Sequence, residues 1–185
     1  MATGPMNPSD LPPHLIAQDW KAGQEYATAL KDLGMKPQAV CWIHSWLDES
    51  TTEKRLAVVT SMVDRVPPKE VYDLLFRAYD LAATPREIDP FIVELFSPES
   101  WWGFYIQRTV GMEIDRPRIN TLSLQQKIPG FEHSLLVATT GIYVSDPLKH
   151  SALNDLRAFE RFKQKVANLE KTKGSEQLKG LTYRL

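Results

Sequence analysis

The sequence predicts a mainly α protein, a single-domain bundle of short helices and helical hairpins closed by a long C-terminal helix. One short β-hairpin within residues 118–145 is the alternative local reading. Three observations predict this class. Pro12, Pro37, Pro68, Pro85, Pro90, Pro98 and Pro147 each precede a stretch with helical periodicity, and proline is favoured at the first helical position, where its missing N–H costs nothing. Apolar residues recur at three- and four-residue spacings through most of these stretches. Strand character is limited to residues 120–124 and 134–144, with Glu99 to Ile106 fitting helix or strand and read as helix, and a lone strand pair is marginal in water. The expected boundaries are a flexible arm over 1–13, a helical domain over 14–173 and a tail over 174–185.

The first helix is expected from about Leu15 to Leu33, with Trp20, Tyr26, Ala27 and Leu30 on its apolar side and Gly34 closing it in the left-handed conformation. Over Gln38 to Asp48, a 100° step per residue gathers Val40, Trp42, Ile43, Trp46 and Leu47 on one arc and Cys41, His44, Ser45 and Asp48 on the other. Ser50 and Glu53 match a capping box, which predicts a helix carrying Leu56, Val59, Met62, Val63 and Val66. The helix from Lys69 to Ala83 is apolar over a wide arc, with Tyr72, Phe76 and Tyr79 extending the stripe of Val71, Leu74, Leu75, Ala78 and Leu81. Such a face suits burial on one side and a partner on the other. Thr84 to Glu87 forms a second capping box, Pro90 opens a helical piece over Phe91 to Phe96, and Ser97-Pro98 starts an aromatic helix over Glu99 to Ile106.

Residues 115–130 read as a long connection. Ser134 to Val144 is read as a buried helix, with a strand as the alternative. Asp146-Pro147 caps the clearest amphipathic element, whose stripe of Leu148, Ala152, Leu156, Phe159, Val166 and Leu169 runs to about Lys173.

Composition narrows the function. The 185 residues are 43% hydrophobic and 24% charged with a formal net charge of −1, an ordinary globular balance that excludes disordered and collagen-like classes. A near-neutral chain has no global field to draw it to nucleic acid or anionic lipid. Cys41 is the single cysteine, so no intrachain disulfide forms and a reducing compartment suits the chain. The longest apolar-leaning run, Ser134 to Val144, is about half of the ~20 residues that span a bilayer. A cytoplasmic protein without membrane insertion is expected.

No nucleotide, lipase-like or zinc-protease motif occurs, and the four histidines His14, His44, His133 and His150 are dispersed. Neither a cofactor nor a metal is implied. Cys41, His44 and Asp48 share one arc of the expected helix and supply the ingredients of an activated nucleophile; side chains on one straight helix project side by side, and no oxyanion site accompanies them. His133 beside Glu132 is the other general-base candidate. From Arg157 onward the chain has eight basic residues against three acidic ones, a basic arm on an acidic body.

The leading expectation is therefore a non-catalytic interaction protein: an accessory subunit, adaptor or assembly factor that joins a protein partner, a larger complex or a second copy of itself. Its candidate contact residues are Tyr72, Phe76, Tyr79, Trp101 and Trp102 on the body, and Leu178, Leu181, Tyr183 and Leu185 in the tail, with Arg116 and Arg118 as an anion-binding spot. The alternatives are a small cytosolic hydrolase-like enzyme using Cys41 and His44 or His133, and nucleic-acid binding by the basic C-terminal helix.

Overall fold

The computed structural model describes residues 17–46, 52–100, 102–104, 106–107, 140–144 and 152–182. They form a four-stranded mixed sheet packed against helices, which corrects the expected helical bundle. Helix α1 (Ala17–Asp32) leads into strand β1 (Ala39–Trp46) and strand β2 (Thr52–Val59); helix α2 (Pro68–Asp80), strand β3 (Val93–Phe96), strand β4 (Thr140–Val144) and helix α3 (Ala152–Thr182) come after them. The sheet order is β3-β2-β1-β4.

Strands β1 and β2 pair antiparallel from Ala39 opposite Val59 to Trp46 opposite Thr52. Strand β4 lies antiparallel on the other side of β1, with an irregularity between Val40 and Cys41. Strand β3 runs parallel to β2, from Leu56 opposite Val93 to Val59 opposite Phe96. A parallel pair needs a crossover, and α2 supplies it between two short 3-10 turns at Ser61–Asp64 and Pro90–Ile92. Gln38 locks the first turn to the start of β1: its amide nitrogen donates to Ser61 Oγ and its carbonyl accepts from the Ser61 N–H, both at 2.8 Å.

The sheet is buried on both faces, and side chains alternate between them as the pleat requires. Val40, Trp42, Leu56, Val58 and Val93 join the main core with α1, α2 and α3. Ala39, Cys41, Ile43, Ala57 and Val59 form a second, smaller core with Ile106, against which Phe96 and Trp102 pack.

This two-sided burial explains the corrections. A strand covered on both faces reads as an unbroken apolar run, so Ala39 to Ile43 and Leu56 to Val59 carry no alternation, and their spacing imitates the helices expected there. The predicted helix from Ser50 to Val66 is instead β2, then an extended Thr60 whose hydroxyl accepts the Met62 N–H, then a single 3-10 turn. Phe91 to Phe96 is a turn followed by β3. Thr140 to Val144 is a strand, the alternative to the buried helix; residues 134–139 lie outside the described region.

The helices are closer to expectation. Helix α1 buries Ala22, Tyr26, Ala27 and Leu30. It ends in a Schellman motif, with the Met35 N–H on the Leu30 carbonyl, the Gly34 N–H on the Lys31 carbonyl, and Gly34 at φ +95°. Helix α2 starts with Pro68 and buries Val71, Leu74, Leu75 and Ala78. Helix α3 buries Ala158, Phe159, Phe162 and Val166 and continues as helix through Thr182, so most of the expected tail belongs to this element.

Candidate interaction surface

One flank of α2 carries Tyr72, Phe76 and Tyr79, four and three residues apart and hence on one side of the helix, with Tyr72 packed against the edge of the main core. All three are half-buried, and each has a different environment. The Tyr72 hydroxyl donates to the Val93 carbonyl at 3.2 Å and accepts from the Leu95 N–H at 3.1 Å. It thereby takes the place of a neighbouring strand along the outer edge of β3. Burial pushes its phenol pKa up, and the Leu95 hydrogen bond opposes the shift.

Phe76 packs edge-to-face on Phe91, with ring centroids 4.8 Å apart and an interplanar angle of 62°. Phe91 is 76% exposed. It is held out by the preceding residues: Asp89 Oδ1 accepts the Phe91 N–H at 2.9 Å and Pro90 sets the backbone of the turn. Tyr79 has the Arg86 guanidinium 4.7 Å from its ring centroid, and Arg86 also donates to the Asp80 carbonyl at 3.4 Å. The result is a contiguous patch of Phe76, Tyr79, Arg86 and Phe91, made of the residue types enriched where proteins bind one another.

The other sequence candidates are distributed elsewhere. Trp102 is half-buried against the second core, while its neighbour Phe104 is 57% exposed. Leu178 and Leu181 are placed on α3 by its backbone. Trp101, Tyr183, Leu185, Arg116, Arg118, His133 and the arm over 1–13 lie outside the described residues. Sequence reasoning does not single out Phe91 or Phe104. The signal for Phe91 is the Asp89-Pro90 pair, which starts a turn too short to bury its second residue.

The Cys41 and His44 pairing is corrected by the fold. Both stand on β1 rather than on the helix expected there. Cys41 is 0% exposed in the second core. On that same face Glu94, opposite Ala57 in register, is partly buried. Desolvation raises its carboxyl pKa, and Arg55 opposes the shift. Among the described residues no group of three or more His, Cys, Asp or Glu is placed to hold a metal, and no helix is long and apolar enough to cross a membrane.

The basic side of α3 is partly occupied within the fold. Lys165 donates to the Asp32 carbonyl at the end of α1, and Lys173 donates to the Asp80 carbonyl at the end of α2 at 3.0 Å. Between them Glu170 accepts a bidentate pair from Arg77, at 2.8 and 2.6 Å. Cations at helix C-termini satisfy open carbonyls and oppose the negative end of the dipole. The ends of α1 and α2 border a groove of about 830 Å³ along α3, whose walls include Glu25, Asp32, Ala83, Pro85 and Leu169.

In comparisons with known proteins, no family model, no curated protein and no solved structure matches this chain.

Proposed function

We propose that this chain is a non-catalytic protein-interaction protein, an accessory or adaptor subunit that engages its partner through the Phe76, Tyr79, Arg86 and Phe91 patch. The observation that carries the reading is the 76% exposure of Phe91, a large aromatic held outward by a capped proline turn and backed by Phe76 from α2. Rigid aromatics lose little entropy when they are covered, and an arginine stacked on a tyrosine adds a donor at the rim. The internal roles of Lys165, Lys173 and Arg77, and the burial of Cys41, favour this reading over the nucleic-acid and hydrolase alternatives.

The test is a photoactivatable phenylalanine analogue at Phe91, irradiated in the cells that express the protein. A discrete protein adduct that disappears when Phe76→Ala is added supports the reading. Irradiation that yields no adduct, or the same adducts as an analogue at exposed Lys36, overturns it.

A further inference from the structure

The aromatic patch sits in an acidic frame. Phe76 has Asp73 three residues before it and Asp80 four residues after it, which puts both carboxylates on its side of α2, and both residues are exposed. Asp89 is exposed as well, and its Oδ1 is fixed beside Phe91 by accepting the Phe91 N–H at 2.9 Å. Glu87 adds a fourth exposed carboxylate in the connection between Tyr79 and Phe91. Most of the neighbouring cations are engaged within the fold. Arg77 is held by Glu170 in its bidentate pair, Lys173 donates to the Asp80 carbonyl, and Arg86 lies over the Tyr79 ring and donates to that same carbonyl. Lys69 stands exposed two turns before Phe76 with Glu70 beside it. From Pro68 to Phe91 the chain carries five carboxylates against three cations.

We infer that the partner's contact segment is cationic and amphipathic: a large apolar anchor laid on Phe91 and Phe76, flanked by lysines or arginines that pair with Asp73, Asp80, Glu87 and Asp89. This partner chemistry rests on the patch being the contact surface, as proposed above, and adds what fits there. Phe76 and Phe91 meet edge to face with centroids 4.8 Å apart, so the two rings touch and leave no slot between them. The area open to a partner is then the outer side of Phe91, which is 76% exposed. A ring face is electron-rich and attracts an ammonium or guanidinium in addition to alkyl groups. An acidic segment would bring its charges against four carboxylates and a negative ring face together, and such juxtaposition excludes wrong partners. The frame therefore supplies selectivity, while the rings supply the area that is covered.

Two peptides of equal apolar content test this, Lys-Lys-Leu-Phe-Leu-Lys-Lys and Glu-Glu-Leu-Phe-Leu-Glu-Glu, each titrated into the full chain labelled with nitrogen-15. The basic peptide should shift the amide resonances of Phe76, Glu87 and Phe91 and bind about tenfold more tightly than the acidic one, and added salt should narrow that gap. Phe91→Ala should weaken binding of the basic peptide. Asp73→Lys combined with Glu87→Lys, both at exposed positions, should reverse the preference while leaving the far-UV circular dichroism unchanged. Failure of both peptides to shift the patch, equal binding of the two, or a preference that survives the charge reversal overturns the inference. If the analogue at Phe91 still gives its Phe76-dependent adduct in that case, the patch remains a contact surface and only the partner's charge is wrong; if it gives none, both readings fall.

Discussion

Ala82 holds φ +59° at the position after α2 that Gly34 occupies after α1. Both helices close with the same pair of hydrogen bonds; after α2 these run from the Ala83 N–H to the Ala78 carbonyl and from the Ala82 N–H to the Tyr79 carbonyl. A Cβ in the left-handed region costs about 1–2 kcal/mol, partly offset in the reverse substitution by the greater freedom of glycine in the unfolded chain. Ala82→Gly should therefore stabilise the protein by about 0.5–1 kcal/mol in urea denaturation. Gly103 is constrained by space rather than by φ: a Cβ there would sit 1.8 Å from the Ser97 carbonyl oxygen. Gly103→Ala should cost about 1–3 kcal/mol, because the backbone must move to admit the methyl. Glu94 binds its proton more tightly folded than unfolded, since burial raises its pKa above 4.5. Stability then falls as pH rises through the interval between the ordinary and the raised value. Glu94→Gln should flatten that dependence, matching the parent in acid and exceeding its denaturation midpoint at neutral pH.

Strand β3 is four residues long and lies at one edge of the sheet, a position that invites pairing with other chains unless it is covered. Tyr72 covers it from α2. Tyr72→Phe removes both hydrogen bonds and should cost about 1–2 kcal/mol, with amide exchange accelerating first at Leu95. None of this is legible in the sequence, where Tyr72 is only part of an aromatic stripe. Helices α1, α2 and α3 are legible because each presents one apolar face, as Tyr26, Ala27 and Leu30 do on α1, and because Gly34 and Pro68 mark true ends. Strands β1 and β2 are not, because burial on both faces erases the period of two and leaves spacings such as Leu56, Val59 and Met62 that imitate a helix across a strand, a cap and a turn. The exposed Phe91 is marked in the sequence only by the Asp89-Pro90 pair that starts its turn; its pairing with Phe76 depends on how the turn packs beside α2, which no local pattern encodes.

Helix α3 joins the rest of the molecule by apolar and polar contacts. Phe159, Phe162 and Val166 fill the main core, while Lys165 and Lys173 close the ends of α1 and α2. Phe162→Ala should cost about 3–5 kcal/mol. Deleting residues 174–185 should leave the thermal midpoint of the protein unchanged, as measured by calorimetry, because no core residue lies beyond Val166 among the described ones. The strand order β3-β2-β1-β4 also has a consequence for synthesis. The flank of β1 that β4 covers stays bare while nearly a hundred residues between Trp46 and Thr140 are translated, an interval of about 5–20 s at typical elongation rates. During that interval the nascent chain presents an open backbone ladder at the ribosome exit, where a holdase chaperone is the natural cover.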